Sequence, residues 1–87
     1  LRIKFDIKTT NNAVPVYGRI YRNGVAVGTQ RETYSTSYDP YSEDISGWSA
    51  GDLIQLYTYS GDAGVVDVYV QNFRVYGDMD VKSVYNW

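Results

Sequence analysis

Polar and apolar positions alternate with a period of two over most of this chain, the spacing of strands with one wet and one buried face. From Leu1 to Lys8 the pattern is strict, with Leu1, Ile3, Phe5 and Ile7 on one side and Arg2, Lys4, Asp6 and Lys8 on the other. The stretch VPVYGRIYRNGVAVGT, Val14 to Thr29, predicts a hairpin closed by Asn23-Gly24. A type I′ turn needs positive φ at both central residues, and Asn-Gly supplies it. Closing that turn pairs Arg22 with Val25, Tyr21 with Ala26 and Ile20 with Val27. Val16, Ile20 and Val27 then face inward, and Tyr17, Arg19 and Tyr21 face outward. Pro15 has no N–H to give a ladder, so this strand should begin there or lie at an edge.

The stretch LIQLYTYSGDAGVVDVYVQNFRVY, Leu53 to Tyr76, holds two apolar runs around the loop Ser60-Gly61-Asp62-Ala63-Gly64. A short Gly-bearing loop between such runs is a hairpin signal. Pairing Tyr59 with Val65 sets Thr58, Leu56 and Ile54 against Val66, Val68 and Val70. It sets Tyr57, Gln55 and Leu53 against Asp67, Tyr69 and Gln71. After Gln71 the apolar phase shifts by one to Phe73 and Val75, which predicts a β-bulge near Asn72. Between the two hairpins, Thr29 to Ser37 reads as a solvated edge strand or a loop, and Tyr38-Asp39-Pro40 as a turn. Tyr41, Glu43 and Ile45 suggest a short strand, and Trp48 a plug at one end of the core.

About seven short strands separated by turn signals predict an all-β fold, a single small antiparallel β-sandwich of jelly-roll type. The first strand should lie beside the last, Asn72 to Tyr76. Residues 1–77 form the sandwich in this reading. Residues 78–87, DMDVKSVYNW, form an extension that carries Val81, Tyr85 and Trp87. Disordered tails are poor in such residues, so the extension is expected to dock, either over its own core or as an arm on a neighbouring copy.

Composition narrows the chemistry. The 87 residues include no cysteine and no histidine, which removes disulfides, thiolate sites, and the usual neutral-pH base and metal ligand. The formal net charge is −2, with no block of basic residues to suggest nucleic acid. No apolar run is long enough for a membrane span, and none reads as a signal peptide. A first residue of Leu instead of Met suggests a processed chain or one cut from a longer protein. The acidic residues fall mainly in turns and make no catalytic pair, so an enzyme is not expected, and neither is a cofactor. Asp78-x-Asp80 offers two oxygen ligands where calcium takes six to eight, so it reads as a polar turn and no metal is expected.

Ten tyrosines remain to be explained. Tyr57, Tyr59 and Tyr69 with Gln55, Asp67 and Gln71 compose one amphipathic face, and Tyr17, Arg19 and Tyr21 a second. Aromatic planes stack on sugar rings, and amides and carboxylates bind the hydroxyls. The same composition suits a protein interface, where Tyr is enriched and Lys depleted. An ordinary outer sheet face with cross-strand aromatic pairs would look no different.

The run YGRIYRNGVAVGT, the turn ISGWSAGD before LIQLY, and the closing NFRVYGD resemble small β-sandwich modules of phage and viral particles, of tail-fibre, head-fibre or capsid-decoration type. The resemblance spans about Arg2 to Asp78 and rests on turn and strand grammar. It implies a non-enzymatic module that acts as a repeating structural unit or a receptor-binding tip. The expectation is a structural domain on a virion or extracellular filament surface, one that self-associates or decorates a larger assembly. It carries over no binding residue, and DMDVKSVYNW lies outside it. The competing expectation is a carbohydrate-binding module that uses an exposed tyrosine face.

Overall fold

The computed structural model describes residues 1–62 and 66–77, together with the backbone of the strand Lys82–Asn86. The chain is an all-β sandwich of two sheets. Its strands are β1 (Arg2–Thr9), β2 (Val16–Arg22), β3 (Val25–Ala26), β4 (Arg31–Thr33), β5 (Asp39–Asp44), β6 (Leu53–Ser60), β7 (Val68–Tyr76) and β8 (Lys82–Asn86). The smaller sheet runs β5-β1-β7; the larger runs β3-β2-β6-β8, with β4 also on β2. All ladders are antiparallel except β6–β8.

Strand alternation sets the core. Ile3, Phe5 and Ile7 from β1 meet Val16 and Ile20 from β2 and Ile54 and Leu56 from β6, all buried. Val68, Val70, Phe73 and Val75 from β7 pack against them. Gly18 belongs to this inner surface because a Cβ there would lie 3.0 Å from the Phe5 ring. Trp48, in the loop between β5 and β6, is buried with the core and donates its indole N–H to the Ile45 carbonyl at 2.8 Å.

The Asn23-Gly24 hairpin forms as expected. Asn23 and Gly24 have φ of 51° and 85°, and Tyr21 and Arg22 pair with Ala26 and Val25. The ladder then breaks, because the Val27 and Gly28 N–H groups both donate to the Ile20 carbonyl. That bulge ends β3, and the edge resumes as β4, where Val16, Tyr17 and Gly18 face Thr33, Glu32 and Arg31. Of the two readings for Thr29–Ser37, a short edge strand is realised.

Tyr38-Asp39-Pro40 is not a turn. Asp39 and Pro40 open β5, whose edge position tolerates a residue without an N–H.

The largest departure lies at β6 and β7, which do not form a hairpin with each other. β6 pairs with β2, from Val16↔Ser60 to Arg22↔Ile54, while β7 pairs with β1 in the other sheet. Just beyond β6, the Gly61 N–H donates to the Pro15 carbonyl at 2.8 Å, and just before β7 the Asp67 N–H donates to Thr10 Oγ1 at 3.1 Å. Alternation decides which face of a strand is buried, but not which strand lies beside it. Leu56 and Val70 keep the inward parity expected of them and take different neighbours. On β2, β6 finds Tyr17 opposite Tyr59 and Ile20 opposite Leu56.

β1 and β7 are neighbours, as expected of the first strand and the stretch Asn72 to Tyr76, although β8 follows as a further strand. Their register shifts between Lys4↔Arg74 and Asp6↔Gln71, where β7 carries one extra residue. Asn72 sits in this bulge with φ of 56°.

Candidate functional site

Two outer faces carry exposed aromatic residues, and they lie on opposite sides of the sandwich. On the larger sheet, the β2–β6 ladder sets Tyr17 against Tyr59, Arg19 against Tyr57 and Tyr21 against Gln55. Tyr17 and Tyr59 stack with centroids 4.8 Å apart, and Tyr21 meets Tyr57 edge-on at 4.3 Å. Tyr59 is 52% exposed and donates its hydroxyl to Gln30 Oε1 at 2.9 Å. A hydrogen bond with the Glu32 carboxylate holds the Tyr17 phenol above its ordinary pKa. The result is a tyrosine platform with polar groups at its rim.

Two residues expected to serve as ligand groups are instead engaged within the fold. Gln55 is buried, and its Oε1 accepts the Gly24 N–H at 2.7 Å. Arg19 donates from Nε to the Gly28 carbonyl at 2.6 Å, across the bulge that ends β3. Around Gln55 the chain knots its own turns together. Asn23 accepts the Leu53 N–H and donates to Asp52, whose other oxygen accepts the Ser49 N–H at 2.7 Å. These bonds, led by the Ser49 N–H, hold the Asp52 carboxyl below its usual range.

Tyr69, Asp67 and Gln71 do not join Tyr57, Tyr59 and Gln55. The expected six-residue face is split because β7 lies in the smaller sheet and β6 in the larger. What the fold assembles in its place is the union of Tyr57 and Tyr59 with the second expected set, Tyr17, Arg19 and Tyr21. Of the tail candidates, Val81 and Trp87 lie outside the described residues. So does the side chain of Tyr85, whose backbone pairs with Leu56 on β6. Asp78 and Asp80 also lie outside them. Among the described residues, no three Asp or Glu side chains converge as a metal site requires.

On the smaller sheet, Arg2, Lys4, Asp6 and Lys8 of β1 share the outer face with Tyr69, Gln71, Arg74 and Tyr76 of β7. Tyr69 and Tyr76 are 45% and 48% exposed. The Lys8 ammonium lies 5.3 Å from the Tyr69 ring centre and 4.8 Å from that of Tyr38, and Lys4 lies 5.4 Å from that of Tyr76. Arg2 donates to both oxygens of Asp44, at 2.8 and 3.2 Å, and so lowers that carboxyl's pKa. Asp6 is only 8% exposed, and its Oδ2 accepts from Asn72 at 2.9 Å and Gln71 at 3.2 Å. An open groove of about 830 Å³ adjoins this face, lined in part by Leu1, Lys4, Ile45 and Tyr76.

No family model, curated protein or solved structure matches the chain, and none of these comparisons links it to phage or viral proteins. The site must be read from its own chemistry. Sequence reasoning saw the wet face of β1 but missed its aromatic half. The signal was present in the phase shift at Asn72, which turns Arg74 and Tyr76 outward beside Arg2 and Lys4.

Proposed function

We propose that this domain is a non-enzymatic structural unit of a virion or extracellular filament surface, acting by self-association or by decorating a larger assembly. The observation that carries the reading is β8. β6 is the most deeply buried strand of the larger sheet, and β8 lies along it as a five-residue parallel strand, from Leu53↔Lys82 to Tyr57↔Asn86. An open edge beside such a strand invites pairing with another chain. Main-chain ladders are indifferent to which copy supplies the strand, so the segment that covers β6 within one chain is chemically fit to cover it in a neighbour. In that arrangement residues 78–87 are an intersubunit arm.

Light scattering coupled to size exclusion tests this, using the full chain and a chain ending at Gly77. The full chain is expected to form higher-order species as concentration rises. The shortened chain should remain monomeric and capture a synthetic 78–87 peptide, with a rise in melting temperature. A full chain that stays monomeric at every concentration, beside a shortened chain that ignores the peptide, would overturn the reading.

A second reading is favoured by one observation, the stacked and half-exposed Tyr59 on Tyr17. A carbohydrate-binding module would use that platform, and glycan-array binding lost in Tyr59→Ala would support it.

A further inference from the structure

The outer face of the smaller sheet carries a like-charge pair. Lys4 and Arg74 are direct cross-strand partners, and like charges placed directly opposite each other destabilise a sheet. The nearby acids are committed elsewhere. Asp44 is held by Arg2, and Asp6 accepts the amides of Gln71 and Asn72. Among the described residues, neither Lys4 nor Arg74 makes an ion pair. Arg74 donates from Nε to the Asn72 carbonyl at 3.1 Å, which anchors its guanidinium on β7. Tyr76 lies next to this pair, and the groove opens there. Farther along the same face, Lys8 and Tyr69 repeat the combination of ammonium and exposed ring. The two lysines are four residue steps apart on β1, about 13 Å at the usual strand rise. With Arg2, these groups are four of the chain's eight Lys and Arg residues, gathered on one face of a protein of net charge −2.

We propose that this face binds an acidic polysaccharide, with the carboxylate of one sugar between Lys4 and Arg74 and the ring of that sugar on Tyr76. Lys8 and Tyr69 take a second unit of the same polymer. An ammonium over an exposed tyrosine is a weak contact. A carboxylate forms charge-assisted hydrogen bonds with the same ammonium, so it draws the lysine off the ring and frees the ring for stacking. The repeat of the cation–ring pair along one strand suits a polymer whose units repeat. A polynucleotide is less well matched, because its affinity comes from many phosphate contacts, and here Asp44 and Asp6 share the face with the cations. This site lies on the opposite sheet from the Tyr17–Tyr59 platform and stands or falls independently of self-association.

The probes are polygalacturonate, alginate, hyaluronate and polysialate, with a neutral galactan and a single-stranded oligonucleotide as controls. Binding is measured by calorimetry on the full chain, whose oligomeric state is recorded separately. At least one carboxylated polymer is expected to bind, weakening with added salt, while the galactan does not. K4Q and R74Q should each weaken that binding about tenfold, with the melting temperature unchanged or slightly raised as the like-charge pair is relieved. Y76A should weaken it several-fold, and Y59A on the far face should leave it unchanged. Failure of all four acidic polymers to bind would overturn the proposal, as would binding that survives K4Q and R74Q. Equal affinity for the oligonucleotide together with indifference to Y76A would reduce the face to a nonspecific charge and overturn it as well.

Discussion

The bulge at Asn72 sets the phase of the last third of β7, so loosening it should reach the core as well as the surface. Asn72 holds φ of 56° and donates to Asp6, which is 8% exposed. Two terms separate on substitution. Asn72→Gly keeps the backbone freedom and removes one hydrogen bond to a carboxylate, a loss of about 1.5–3 kcal/mol for a charged acceptor. Because Gln71 still donates to the same oxygen, the lower half of that range is expected, about 2 kcal/mol. Asn72→Ala loses the same bond and adds the cost of a left-handed backbone for an ordinary L-residue, about 1–2 kcal/mol. The total is then about 3–4 kcal/mol, a large share of a stability of some 5–15 kcal/mol. Urea unfolding followed by tryptophan fluorescence measures both variants. With a slope of about 2 kcal/mol per M, the Gly variant should lower the midpoint by about 1 M and the Ala variant by nearly twice that. Asp6→Ala combined with Asn72→Gly should be no less stable than Asp6→Ala alone, since the bond is already gone. If the Ala and Gly variants coincide, the positive φ carries no cost. If both match the unsubstituted chain, Asp6 does not hold the bulge.

Two further outcomes test the core and the strand order. Thr58 is buried on the inner face of β6, and its hydroxyl makes no hydrogen bond within the described structure; Thr58→Val should therefore stabilise the fold by about 1 kcal/mol in the same unfolding assay, and a loss would show the hydroxyl to be satisfied. The cysteine-free sequence also allows a clean crosslinking test, because directly paired strand residues have Cα atoms about 4.5–5.5 Å apart, within disulfide reach. Arg19→Cys with Tyr57→Cys should close under mild oxidation and Tyr57→Cys with Asp67→Cys should not; the reverse result would restore the β6–β7 hairpin.

How much of this was legible in the sequence follows from the range over which each signal acts. Asn23-Gly24 is a local device, needing only the φ of two adjacent residues, and the turn it predicts is the turn that forms. Alternation is local too, so the inward parity of Ile3, Phe5, Ile7, Val16, Ile20, Ile54 and Leu56 could be read residue by residue. The phase shift after Gln71 announced the bulge for the same reason. The partners of β6 and β7 were not legible. Two apolar runs around a Gly-bearing loop are equally good as a hairpin or as strands of facing sheets, since both arrangements bury the same side chains. The choice is made by distant residues, Tyr17 and Ile20 on β2 and the alternating face of β1.

The functional reading inherits that limit in a specific way. A face of a sheet is a non-local object, composed of every second residue from strands whose order the sequence does not disclose. Tyr57 and Tyr59 could be identified as outward residues, yet their neighbours are Tyr17 and Tyr21, not Tyr69. The same rearrangement left Tyr69 and Tyr76 beside Lys4, Lys8 and Arg74, and so turned scattered charges into a cationic, aromatic surface. Net charge gave no hint of it, because −2 is a sum over the whole chain and binding depends on where the charges lie. Asp6 makes the point from the other direction. Within strand β1 it reads as one more solvated residue between two lysines. In the fold it is buried, bonded to Gln71 and Asn72, and its engagement there leaves Lys4 and Arg74 opposite each other with no ion pair to either among the described residues.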